Sequence, residues 1–376
     1  MNSLHRLSHL LAALLLASLA ACDRSASTAP AGPPTEHRPV AGEMKLAIPE
    51  HGIYTGAYID WGDKEDSVTF EAIDRFDKLV GKHQAIVASS SYWGEQTFPK
   101  ENLDVIVNHG SVPLIFWSPW DKPYEESKGP DKYSLTSIIA GDHDAYIDRW
   151  AEQARDFGFP MIVSFANEMN GEWFPWSGVF YGGGKILPPG TRPFKYEGPE
   201  LFKKAYRHVV DRVRAKGAKN VQWVLHLMNY SLPQEAWNLA AEYYPGPEYV
   251  DWLGFSLYGV QFADDEWAPY YHLLDWPVEE MHRLDPTKPV MVCEWGVGEF
   301  PTLGSKADWF RDAFKQMKDP KYANLKACVY WHERWQNENG LYSNLHVDSS
   351  PEALAAYRRG VADPFYLGEP IYEKAK

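Results

Sequence analysis

The chain has 376 residues, 37 Lys and Arg against 51 Asp and Glu, and a net charge of −14. That length allows one large domain or two ordinary ones. The acidic balance argues against a nucleic-acid partner, whose phosphates need Lys and Arg, and the three cysteines show no Cys/His spacing for a metal, so no cofactor is expected.

The N-terminus reads as an address rather than as fold. Residues 1–21 pair a weakly basic start (His5, Arg6, His9) with an apolar run too short to span a membrane, which is a signal-peptide layout. Small residues lead directly into Cys22, an arrangement that resembles the bacterial lipobox. The expectation is cleavage before Cys22, lipidation of its thiol, and export to the cell envelope with the lipid as the membrane contact. Ordinary secretory cleavage near Ala21 is the other reading. Residues 22–48 are rich in Pro, Ala, Ser and Thr and read as a flexible linker; 49–370 read as one folded domain, expected to be monomeric.

From about residue 50, short apolar runs alternate with longer amphipathic ones. The runs are GIYTGAYI, HQAIVASS, VPLIFW, PMIVSFAN, VQWVLHL, YVDWLGFSLY, PVMVCEW and LKACVYWH. Between the third and fourth, Tyr146, Ile147, Trp150, Ala151 and Ala154 recur at helical spacing, with Asp142 as the expected N-cap and Gly158 as the stop. Leu201, Phe202, Tyr206, Val209 and Val213 repeat the pattern before the fifth run. Eight strands alternating with helices predict a single (β/α)8 TIM barrel. A doubly wound sheet is the rival, but no Gly-rich phosphate turn follows the first strand. Cys293 and Cys328 lie in apolar strands and are expected as buried free thiols, a bridge between them being the alternative.

In such a barrel, functional side chains sit at the C-terminal ends of the strands. The fourth run ends in Asn167-Glu168, the sixth at Tyr258, the seventh in Glu294-Trp295 and the eighth in Trp331-His332. Two carboxylates facing one another across an opening are what glycoside hydrolysis needs, one as proton donor and one ionised as nucleophile. Aromatic rings around them suit the flat apolar faces of sugars.

The stretch NEMNGEWFPW is similar to the strand-four signature of glycoside hydrolase family 26, and PVMVCEWG resembles that family's nucleophile strand. PLIFWSPW and the helix leading to strand four support the likeness, which spans residues 50–365. The resemblance implies a retaining β-glycosidase acting on a polysaccharide, with Glu168 as acid/base and Glu294 as nucleophile. It implies that Tyr258 hydrogen-bonds the nucleophile, that Trp331 lies under the reacting sugar and that Trp173 walls the site. Family mannanases usually carry His before the acid/base; here Asn167 stands there, expected to meet the sugar 2-hydroxyl. The expected activity is that of an endo-β-1,4-mannanase. A β-1,3-1,4-glucanase or related β-glucanase or xylanase is the alternative, and a non-catalytic carbohydrate-binding lipoprotein is the reading from another class. Trp117, Trp120 and Trp176 are either sugar platforms or core. Asp60, Glu172, Glu299 and Glu333 are expected as rim or ion-pair acids, His226 and His332 as structural histidines, and Met169 and Asn170 as shapers of the turn.

Overall fold

The computed structural model describes residues 44–61, 67–121, 129–337 and 339–375. The signal peptide, Cys22 and most of the linker lie outside the described residues.

All eight apolar runs form strands: β1 (Ile53–Ile59), β2 (Ile86–Tyr92), β3 (Val112–Ser118), β4 (Met161–Phe165), β5 (Val221–Met228), β6 (Trp252–Tyr258), β7 (Val290–Gly296) and β8 (Leu325–His332). Each pairs in parallel with the next, and β1 pairs with β8 from Tyr54 opposite Ala327 to Ile59 opposite His332, closing the barrel. Parallel strands covered on both faces have no polar side, which explains the continuous apolar runs. Every residue of β1 to β5 is buried. In the last three strands the half-buried exceptions are Tyr258, Lys326 and Trp331.

The outer layer comprises α1 (Phe70–Val80), α2 (Lys100–His109), α3 (Asp144–Phe157), α4 (Glu197–Ala215), α5 (Tyr270–Leu284), α6 (Lys306–Gln316) and α7 (Pro351–Val361). The crossover from β5 to β6 has only a short 3-10 turn, Ala236–Asn238, and a single α-helical turn, Ala240–Tyr243. Tyr146, Ile147, Trp150, Ala151 and Ala154 form the buried stripe of α3, and Gly158 ends it in the left-handed conformation at φ 74°. The expected cap Asp142 is displaced: His143 occupies the N-cap position and Asp142 lies in the preceding turn, because the short helix Leu135–Ala140 already ends at Gly141.

Residues on either side of the expected domain bounds 49 and 370 also pair. Met44–Leu46 pairs antiparallel with Tyr372–Lys374, so the C-terminal segment is also fixed beyond residue 370. Gln222, at the start of β5, grips this strap: its Oε1 accepts from Leu46 N at 2.7 Å and its Nε2 donates to Leu46 O at 3.1 Å. The strap thus lies at the N-terminal end of the barrel, opposite the strand tips that carry the glutamates. Cys293 and Cys328 are both buried free thiols.

Candidate active site

The fourth strand stops at Phe165, two residues short of the expected end, and the chain turns sharply through Asn167–Asn170. Ala166 and Glu168 have φ of 50° and 54°, left-handed values that cost a side-chain-bearing residue about 1–3 kcal/mol each. The surroundings hold the turn in place. Glu168 N donates to His226 O of β5 at 2.7 Å, and Gly171 N donates back to Glu168 O at 2.9 Å. Asn170 stitches the turn to β5, accepting from Met228 N at 2.8 Å and donating to Met228 O at 3.1 Å. Trp176 caps it from the other side, its Nε1 donating to Asn167 O at 2.6 Å. The strain aims one carboxylate into the mouth of the barrel.

The second carboxylate arrives through a slip in register. β6 and β7 run in step to Phe255 opposite Val292, and then Ser256 faces Glu294 instead of Cys293. The slip sets Glu294 level with Ser256. One oxygen of Glu168, one of Glu294 and a ring nitrogen of His226 lie within 4.8 Å of one another. Both glutamates are 7 % exposed.

Each carboxylate has its own donor. Trp173 Nε1 lies 2.8 Å from Glu168 Oε2, and Tyr258 Oη lies 2.7 Å from Glu294 Oε2. The Trp173 ring folds over Gly171, where a Cβ would meet it at 2.6 Å, so that position excludes any larger residue. Burial raises the Glu168 carboxyl, against the bonds from Ser256 and Trp173. Burial and then the Glu168 charge hold the Glu294 carboxyl well above the usual range, against the bonds from Tyr258 and Ser256. Two acids this close cannot both ionise freely, so the pair retains a proton toward neutrality.

His226, expected as a structural residue, is hydrogen-bonded on both ring nitrogens and also lies beside the two glutamates. Its Nε2 is 3.9 Å from Glu294 Oε1 and 2.8 Å from Ser256 Oγ, and its Nδ1 is 3.0 Å from Ser164 Oγ. Burial pushes its pKa down to about 3, so the ring is neutral at ordinary pH. Sequence reasoning missed Ser164 and Ser256 altogether. The available signal was a polar residue at an interior strand position, and for Ser256 its place two residues before Tyr258.

The rings divide into two groups. Trp331 stacks flat on Tyr58, centroids 3.8 Å apart and 6° between planes, and its Nε1 donates to Glu333 Oε2 at 2.6 Å. Trp173 contacts the acid pair directly, through its bond to Glu168. Of the two readings left open for Trp117 and Trp176, sugar platform or core, the structure gives core. Trp117 is fully buried, stacks on Trp150 of α3 at 4.2 Å and donates to the Tyr146 hydroxyl at 3.0 Å. Its strand neighbour Phe116 takes the inward face, with its ring 5.8 Å from that of Trp331. Trp176 is 1 % exposed, stacked on Phe174 at 4.6 Å. Trp120 meets both of those rings edge-on. Two rings that the sequence did not single out, Tyr230 and Phe262, are 44 % and 41 % exposed and line a depression of about 250 Å³ beside Tyr258.

The remaining acids have local partners or face solvent. Asp60 bonds His346 at 2.9 Å, Glu299 accepts from Ser349 and Ser350, and Glu172 is exposed. His332 lies apart from the glutamates, stacked on His346 and accepting from Val347 N at 3.1 Å.

A family model described as glycosyl hydrolase family 26 matches residues 129–283, which include Glu168 and Tyr258 but stop short of Glu294. Endoglucanase H of Acetivibrio thermocellus is 27 % identical over 314 residues, covering 82 % of this chain and 30 % of that protein, so the chain spans less than a third of its length. A mannan endo-1,4-beta-mannosidase of Bacillus subtilis (strain 168) is 25 % identical over 325 residues, with 80 % of each chain covered. Among solved structures, the catalytic domain of the Bacillus sp. JAMB-750 GH26 endo-beta-1,4-mannanase has the same fold, with a TM-score of 0.58 at 18 % identity, covering 84 % of this chain and 87 % of that one. Over residues 129–283 this chain is similar to glycosyl hydrolase family 26.

Proposed function

We propose that the protein hydrolyses a β-linked polysaccharide with retention of configuration, Glu168 acting as acid/base and Glu294 as nucleophile. The observation that carries this reading is the convergence of their carboxylate oxygens within 4.8 Å. Retaining enzymes hold the two carboxyl groups about 5–5.5 Å apart, whereas inverting enzymes leave roughly 6.5–9.5 Å for a water. Burial raises both carboxyls, Glu294 the more, and the Tyr258 donor opposes that rise at Glu294; the reaction needs Glu294 ionised and the shared proton on Glu168.

In the first half-reaction a Glu294 oxygen bonds the anomeric carbon while the bond to the leaving oxygen breaks. The Glu168 proton passes to that oxygen. In the second, water gives a proton to Glu168 as its oxygen bonds the anomeric carbon and the ester to Glu294 breaks. Trp331, backed by Tyr58, supplies a flat platform for the reacting sugar. The Asn167 amide, on the turn that carries Glu168, meets the 2-hydroxyl.

β-1,4-Mannan attacked internally is the preferred substrate, the activity named for the Bacillus subtilis relative. A β-glucan is the second reading. It is favoured by Asn167 and by the relative named as an endoglucanase. The N-terminal motif supports a further proposal, that the enzyme is an exported lipoprotein held at the envelope through Cys22; labelled fatty acid on the wild type and none on Cys22→Ala is the test.

The test of the chemistry compares substrates with good and poor leaving groups. Glu294→Ala loses nearly all turnover on both. Glu168→Ala loses far more on the poor leaving group, and azide restores turnover of the activated substrate as a retained β-glycosyl azide. Equal losses of Glu168→Ala on both substrates would show that Glu168 is not the acid.

A further inference from the structure

A second cluster of histidines and a carboxylate lies outside the strand tips that carry the glutamates, and no step of the proposed reaction uses it. Asp77 sits near the end of α1, His83 leads into β2, and His109 is the last residue of α2. Nδ1 of His83 is 2.8 Å and Nε2 of His109 is 3.3 Å from one and the same oxygen, Asp77 Oδ2. One potential ligand atom from each of the three lies within 4.8 Å of the others. The His109 side chain is 6 % exposed.

The protons in this cluster can be counted. The Ser111 hydroxyl gives its one proton to the Gln84 carbonyl at 2.7 Å, so toward His109 Nδ1, 3.1 Å away, it can only accept. His109 therefore carries its proton on Nδ1, and Nε2 turns a lone pair toward a carboxylate oxygen that is also an acceptor. Two acceptors 3.3 Å apart require a positive charge between them. An outer hydrogen bond that fixes the tautomer of an inward-facing ring is the arrangement found behind metal-bound histidines.

The positive charge is either two added protons or one dication, and their net charge is the same. Two imidazolium rings with centroids 4.6 Å apart would repel each other, and a metal between two neutral rings removes that cost. Metal–ligand bonds of about 2.0–2.1 Å place neighbouring ligands roughly 3.3 Å apart in a tetrahedron, the separation of His109 Nε2 from Asp77 Oδ2, with His83 Nδ1 nearer at 2.8 Å and the three atoms within 4.8 Å. The other Asp77 oxygen, Oδ1, is buried without a hydrogen-bond partner, and a water on a metal is a donor that would satisfy it.

We propose that His83 Nδ1, His109 Nε2 and Asp77 Oδ2 bind a transition-metal dication of the zinc class, with water completing the shell. The ion fastens the end of α1 to the end of α2 and the start of β2. It lies away from the strand tips, in the part of such a barrel that serves stability rather than chemistry.

The test uses the untagged full chain, stripped with EDTA and titrated with ZnCl2 by calorimetry and with CoCl2 by visible absorption. The expected result is one zinc per chain, a rise in Tm on adding zinc but not MgCl2, and the intense visible bands of tetrahedral cobalt. Asp77→Asn and His109→Gln weaken zinc at least 100-fold with unchanged far-UV circular dichroism, whereas Glu168→Gln leaves zinc binding intact. If either cluster variant does not fold, the cobalt spectrum of the wild type and the Glu168→Gln comparison decide. Zinc binding that survives in the cluster variants, that is lost in Glu168→Gln, or that is absent from the wild type would overturn the proposal and leave the cluster as a carboxylate between two protonated rings.

Discussion

Ser256 Oγ lies 2.8 Å from His226 Nε2, and Ser164 Oγ lies 3.0 Å from Nδ1 of the same ring. A neutral imidazole has one donor and one acceptor, so one serine gives a proton to the ring and the other receives one. The Ser256 hydroxyl also lowers the pKa of both glutamates. The row Ser164–His226–Ser256 places a neutral hydroxyl beside the acid pair without adding a charge.

Removing that hydroxyl has a definite sign. The Ser256 bond lowers the pKa of both glutamates, so Ser256→Ala raises both and shifts both limbs of the kcat/KM–pH profile toward higher pH. A hydrogen bond to a charged group is worth about 1.5–3 kcal/mol, and kcat/KM near the optimum falls roughly 10- to 100-fold. A pH profile that keeps its position shows that the hydroxyl does not bond the carboxylates.

Tyr258→Phe acts on one limb. The phenol stabilises the Glu294 carboxylate at 2.7 Å, and its loss leaves the nucleophile protonated to higher pH. The acidic limb moves up while the basic limb, set by Glu168, moves less. The same assay in burst mode separates the steps: formation of the glycosyl-enzyme slows more than its hydrolysis.

Asn167 sits beside the acid, 7 % exposed. An amide offers both donor and acceptor at short reach, and a neutral imidazole is bulkier with one donor. Contacts to the 2-hydroxyl strengthen in the transition state by several kcal/mol. Asn167→His shifts the kcat/KM ratio toward mannan and away from glucan, measured on mannan, lichenan and carboxymethyl cellulose. An unchanged ratio removes Asn167 from the selectivity argument.

His226 also enters the stability of the fold. Its pKa is near 3 in the folded chain and about 6.5 when unfolded. Between those values the unfolded state binds the extra proton, so stability falls as pH drops from 6.5 toward 3, by about 1.4 kcal/mol per unit from this residue. Denaturant midpoints across that window show the loss in the wild type, and His226→Gln flattens the slope. Equal slopes in the two proteins place the acid sensitivity elsewhere.

The strands were legible because a doubly covered parallel strand has nothing polar to interrupt it. Glu168 and Glu294 were legible because an acid at the tip of such a run needs a reason. Trp117 and Trp331 look alike in sequence, each near the end of an apolar strand, and only the face of the strand separates them. Trp117 points outward to α3, and Trp331 stacks on Tyr58 beside Phe116. The end of β4 was misread by two residues because neither Ala166 nor Glu168 announces a left-handed backbone as glycine would. Ser164 and Ser256 escaped notice, and His226 was read only as structural, because small or neutral polar groups inside a strand read as satisfied core, and their bonding exists only once β4, β5 and β6 stand side by side.

The strap at Met44–Leu46 has a practical corollary. Gln222 holds it at the start of β5, while Glu168 and Glu294 sit at the far tips of the strands. A bead, a fusion partner or a surface joined upstream of Met44 therefore grasps the barrel from below. The working face stays turned toward the solution, where a polymer too large to diffuse into a crevice can still be met.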